Sequence, residues 1–136
     1  MKRVFRFLAI VPVILMSCQP KADTTLSMGS PTEVVKMTFG LTDAGQPYYL
    51  SSFENREVVD TSFLGFELGD NVFLSKGLKV ASSEQTSFDE IWEQPWGEER
   101  FIRNNYNQLK VNLETTEGYK LNIIFRAFDN GLAFRY

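Results

Sequence analysis

The chain has 136 residues, with 14 Lys+Arg against 17 Asp+Glu, no His and a single Cys. A hydrophobic content of 43 % is enough to bury a core, so the composition excludes a disordered or collagen-like chain and allows at most one domain or part of a larger one. Without His there is no Ser-His-Asp or Cys-His chemistry and no His-ligated metal; one Cys excludes internal disulfides; and a pI near 5.0 argues against a nucleic-acid partner, which requires a basic face.

Lys2, Arg3 and Arg6 precede an apolar run from Phe7 to Met16. Charge followed by a short apolar run is the pattern of a secretory signal, and the run is too short to span a bilayer. Leu15-Met16-Ser17-Cys18 then resembles the lipobox of bacterial lipoproteins. Residues 1–17 are therefore expected to be a signal peptide and Cys18 a lipidated N-terminus, anchoring the protein to a membrane in the bacterial cell envelope, at the periplasm or outer membrane. An ordinary signal peptide with an incidental Cys is the alternative. Residues 18–32, polar and carrying two Pro, read as a flexible tether.

From Val34 the hydrophobic pattern has a period of two. Val35, Met37, Phe39 and Leu41 share one face, and Asp43 to Pro47 is turn material before a second strand from Tyr48 to Phe53. Glu54-Asn55 reads as a tight turn, with Arg56 to Asp60 pairing back and Ser62 to Leu68 as a further strand closed by Gly69-Asp70-Asn71. Ser83 to Trp92 is the nearest approach to a helical turn. Leu109, Val111 and Leu113 alternate with polar residues, Glu117-Gly118 turns the chain, and Tyr119, Leu121, Ile123, Phe125 and Ala127 are expected to share one face. Asp129-Asn130-Gly131 signals a hairpin into Leu132, Phe134 and Tyr136. The predicted fold is an all-β antiparallel sandwich, incomplete because the last apolar strand lacks a neighbour; inner-face Leu, Ile and Phe are expected to be left uncovered.

Both tryptophans lie among carboxylates, in Asp89-Glu-Ile-Trp-Glu-Gln-Pro-Trp-Gly-Glu-Glu-Arg100. Stacking on Trp with hydrogen bonds from acids and amides suits a sugar ring; equally, Trp92 and Trp96 can plug a sandwich core while the acids form a solvated loop edge. A glycosidase pair is not legible here, because adjacent carboxylates such as Glu98 and Glu99 point to opposite faces of a strand and cannot flank one bond.

The stretch from Glu90 to Leu109 resembles E-x-W-E-x-x-W-G-E-E-x-x-I-R-N-H-Y-N-E-L of glycoside hydrolase family 97, and Phe125 to Tyr136 resembles that family's F-R-V-F-D-D-G-V-A-F-R-Y. Phe63-Leu-Gly-Phe-Glu-Leu68 is similar to its P-L-G-L-x-L segment, so the resemblance spans residues 33–136. It implies the first part of a galactose-mutarotase-like β-supersandwich, followed in the family by a (β/α)8 barrel and a C-terminal β-domain. It also implies calcium-dependent hydrolysis of α-glucosides or α-galactosides, with catalytic and calcium-binding residues outside this chain. The chain itself is then a non-catalytic, carbohydrate-binding-type portion, with an α-linked oligosaccharide as partner of the whole enzyme. Trp92, Glu93, Trp96, Glu98, Asn105 and Tyr106 are the residues placed against the sugar pocket; Asn105 departs from the family pattern, which usually has His there. The alternatives are a free-standing sugar-binding lipoprotein and a lipoprotein that pairs with another protein through its open strand edge.

Overall fold

The computed structural model describes residues 25–69 and 72–136. The signal peptide and Cys18 lie outside these residues. Ten strands follow one another: β1 Leu26–Gly29, β2 Val35–Leu41, β3 Pro47–Phe53, β4 Arg56–Phe63, β5 Glu67–Leu68, β6 Val72–Phe73, β7 Leu78–Glu93, β8 Phe101–Thr115, β9 Lys120–Phe128 and β10 Gly131–Arg135. They form two antiparallel four-stranded sheets, β1-β2-β3-β4 and β10-β9-β8-β7, with β5-β6 as a small separate hairpin.

The two-residue period dictates the core. Met37 and Phe39 of β2, Leu109, Val111 and Leu113 of β8, and Leu121, Ile123, Phe125 and Ala127 of β9 come from facing sides of the two sheets and pack into one buried cluster. Phe125 holds its centre, with the rings of Phe39, Tyr49 and Phe134 at 5.9, 6.0 and 5.8 Å. The inner-face residues expected to lie bare are thus covered across the middle of the sandwich.

The sheets are offset by one strand. β1 packs over β8 and β2 over β9, and Tyr49 of β3 meets Phe134 of β10 at 5.4 Å. β4 and β7 consequently have no strand opposite them among the described residues, and both are exposed along nearly their whole length.

Three expectations need correction. Residues 18–32 are not tether throughout, because Leu26 to Gly29 pair with β2 from Leu26↔Phe39 to Gly29↔Lys36. Only two inward residues, Leu26 and Met28, mark this four-residue strand, which is too short for a periodic signal. The helical turn at Ser83 to Trp92 is instead the middle of β7, a 16-residue strand. Phe88, Ile91 and Trp92 stand at helix-like spacing, but pairing with β8 overrides local preference. The single strand over Ser62 to Leu68 breaks after Phe63. Gly65 adopts φ 136°, a conformation other residues rarely reach, and the close approach of Ser75 leaves no room for a Cβ.

The β1 edge is closed by side chains. Ser30 N–H donates to the Val35 carbonyl, and by the antiparallel alternation this turns the Ser27 and Gly29 peptide groups outward. Their carbonyls accept from Gln85 Nε2 and Asn107 Nδ2, each at 2.9 Å, so amides of the second sheet occupy the edge acceptors. Gln85→Ala is expected to cost about 0.5–1.5 kcal/mol, one net hydrogen bond, and to speed amide exchange in β1 but not in β9.

Candidate functional site

Strand length positions the site. β9 follows β8 only as far as Asn107↔Ala127, whereas β7 and β8 remain paired out to Glu93↔Phe101. The remainder is a two-stranded arm of roughly six residues per strand, projecting about 20 Å from the sandwich. Residues 94–100 close its tip, where Gln94 N–H donates to the Arg100 carbonyl at 3.0 Å. Gly97, at φ 132°, lets the turn fold against the Gln94 amide.

Each face of the arm carries large apolar side chains among polar and charged ones. Phe88, Trp92 and Tyr106 lie on the side turned away from the first sheet, while Ile91 and Phe101 lie on the opposite side; Ile91 is 67 % and Phe101 59 % exposed. Two ion pairs set its shape. Arg103 Nε and Nη2 grip Asp89 Oδ1 and Oδ2 at 2.9 and 2.7 Å, and Arg100 Nε donates to Glu93 Oε1 at 2.8 Å. The Arg103 hydrogen bonds hold the Asp89 carboxyl below the ordinary carboxylate range.

Of the six residues singled out from sequence, four gather at the tip and two do not. Trp92 and Glu93 end β7, while Trp96 and Glu98 belong to the loop. Trp92 is 45 % and Trp96 83 % exposed, so neither plugs the core. Asn105 and Tyr106 stand on β8, opposite Asp89 and Phe88, about 13 Å back along the arm. Their side chains point to opposite faces of the ribbon. Tyr106 is 7 % exposed; Phe88 stacks on it at 5.2 Å, Phe128 meets it at 5.2 Å, and the Arg126 guanidinium lies 4.5 Å over its ring. Arg126 Nε also donates to Gln108 Oε1 at 3.0 Å. The two resembling motifs therefore meet in space through Tyr106 and Arg126.

Sequence reading placed Asp89 in the acidic stretch but missed its pairing with Arg103, and missed the role of Arg126. Opposite charges on β7 and β8 were visible, but without the register nothing showed that they meet.

At the arm's root, Asp129 Oδ1 accepts from the Thr32 N–H at 2.9 Å and from the Thr32 hydroxyl at 2.7 Å. These donors, with lesser help from Ser30 and Arg103, hold the Asp129 carboxyl below its ordinary value. A depressed carboxyl contributes stability above its unfolded pKa and loses it as pH falls through the folded one. The melting temperature of the native chain is therefore expected to exceed that of Asp129→Asn at neutral pH. The gap should close on acidification below about pH 4.

Chemically, the tip offers two exposed indoles for stacking and several acids as hydrogen-bond acceptors, an arrangement suited to a sugar ring. A general acid requires a raised carboxyl pKa, and the displacements at Asp89 and Asp129 are both downward. Among the described residues no three His, Cys, Asp or Glu converge to hold a metal ion.

The family model described as "Glycosyl-hydrolase 97 N-terminal" matches residues 28–136. Among solved structures, a glycoside hydrolase family 97 enzyme from Pseudoalteromonas sp. strain K8 in complex with acarbose is similar at 31 % identity and TM-score 0.76, over 82 % of this chain and 17 % of that one. A variant of that enzyme in complex with panose gives 31 % identity and TM-score 0.75 over the same shares. A beta-arabinopyranosidase is similar at 26 % identity and TM-score 0.73, over 80 % of this chain and 17 % of that chain. The chain thus spans 17 % of the length of each of these proteins.

Proposed function

Because the chain belongs to glycoside hydrolase family 97, as a portion of its N-terminal domain, we propose that it is the non-catalytic sandwich portion of an α-glycosidase, with an arm that walls the enzyme's sugar pocket. The carrying observation is the β7–β8 arm, which exposes large apolar side chains on both faces and is tipped by exposed Trp92 and Trp96. An isolated two-stranded ribbon is marginally stable at best in water, and packing against a larger domain would cover the apolar side chains of this one. The Pseudoalteromonas enzyme, in complex with acarbose and with panose, supports an oligosaccharide as the substrate class.

Calcium dependence belongs to this reading, but the described residues do not fit a calcium site, since no three carboxylates converge. The work of this chain's residues is to stack on and orient the sugar with Trp92 and Trp96, and to exclude water along the arm. Lipidation at Cys18 and an envelope location complete the proposal; the mass of the mature protein, with or without acyl chains on Cys18, tests that part.

The nucleotide sequence downstream of Tyr136 tests the enzyme reading. An in-frame or frameshifted barrel is expected, and a clean stop beside unrelated genes would overturn it. The exposure of Trp96 also favours a second reading, a free-standing sugar-binding lipoprotein. That reading requires the chain alone to bind maltose or melibiose and to lose binding in Trp96→Ala.

A further inference from the structure

Where β7 extends past β1, the two sheets enclose an open groove of about 530 Å3. We propose that this groove is a second carbohydrate site, for a neutral oligosaccharide, separate from the tryptophans at the arm tip. Its volume falls within the range of pockets that take small organic ligands. The side chains of Met28 and Met37 are buried in the core, so the accessible lining is polar: Glu33, Lys36, Thr38, Gln85, Ser87 and Asn107. One carboxylate and one ammonium leave no net charge to recognise an ion, while amides and hydroxyls match the alternating donors and acceptors of a sugar's rim.

The walls are held rigidly, as binding without a large ordering cost requires. Gln85 and Asn107 are fixed to the Ser27 and Gly29 carbonyls, Ser87 Oγ donates to Asn107 Oδ1 at 2.7 Å, and Ser27 Oγ lies 3.1 Å from Thr38 Oγ1. The outward N–H groups of Ser27 and Gly29 face the groove as further donors. Glu33 is placed unusually. Its φ is 62°, and its carboxylate folds over Gly29 where any Cβ would collide with it. That places a two-oxygen acceptor at the groove mouth, suited to a vicinal diol. The groove lies about 20 Å from the arm tip, so one ring cannot occupy both places.

The test is a titration of the full chain with panose followed by NMR, with glycerol as control. Saturable millimolar shifts at Gly29, Gln85 and Asn107 are expected. Glu33→Gln and the isosteric Thr38→Val should each weaken binding about fivefold, the effect of one hydrogen bond. Trp96→Ala should leave the groove shifts unchanged. No perturbation in the groove, equal shifts with glycerol, or shifts confined to the Trp92 and Trp96 indoles would overturn the assignment. Because the measurement involves no hydrolysis, the enzyme reading can fail without this one failing, and the reverse.

Discussion

Phe125→Ala is expected to remove about 3–5 kcal/mol of folding stability, the largest single effect in the chain. The side chain is completely buried and is the meeting point of Phe39 and Tyr49 from one sheet and Phe134 from the other. Truncation leaves a cavity between two sheets that cannot collapse independently, because each is held flat by its own ladder. A small domain has a total stability of about 5–15 kcal/mol, so this loss consumes much of it. Urea unfolding followed by tryptophan-independent circular dichroism measures it. A loss under about 1 kcal/mol would mean that the sheets do not share a core through this ring.

The second large effect concerns function and leaves stability alone. Trp92→Ala with Trp96→Ala is expected to change the unfolding free energy by no more than about 0.5 kcal/mol, since neither indole enters the core. In the full enzyme the same pair should weaken transition-state binding of an α-linked oligosaccharide by about 1.4–2.8 kcal/mol, a 10- to 100-fold loss of kcat/KM. The contrast between the two measurements carries the argument. A double variant that unfolds would mark the indoles as packing residues, and one that folds and hydrolyses normally would remove the arm from the sugar pocket.

Charge reinforces the separation between arm and sandwich. Asp89–Arg103 and Glu93–Arg100 are exposed ion pairs whose individual contribution to stability is small. Their effect is geometric: they tie the strands of the arm together at two levels and so fix the direction in which the tip points. Asp129 does the same at the root, joining the β1–β2 loop to the β9–β10 hairpin through Thr32.

Sequence reading recovered what is repeated locally. Val35, Met37 and Phe39, and again Leu121 to Ala127, alternate with polar residues, so strands and their buried faces could be read off a period of two. Glu54-Asn55 was legible as a turn for an equally local reason, since both residues adopt the positive φ, 49° and 62°, that a tight reversal needs. The long motifs around Trp92 and Arg126 carried the family resemblance, because recognition of order and spacing requires no coordinates.

What the tertiary structure alone decided is which of these elements cover one another. Beyond Leu78 and Val80, β7 has a mixed pattern because neither of its faces is buried, so its register with β8 is what shows that this stretch is a strand. Asn105 and Tyr106 are neighbours in sequence and face opposite ways, whereas Tyr106 and Arg126 are distant in sequence and stack at 4.5 Å. Alternation specifies a face but not the partner of that face. The partner comes from pairing over long sequence separations, and here that pairing built the arm, the offset of the sheets and the groove beneath β1.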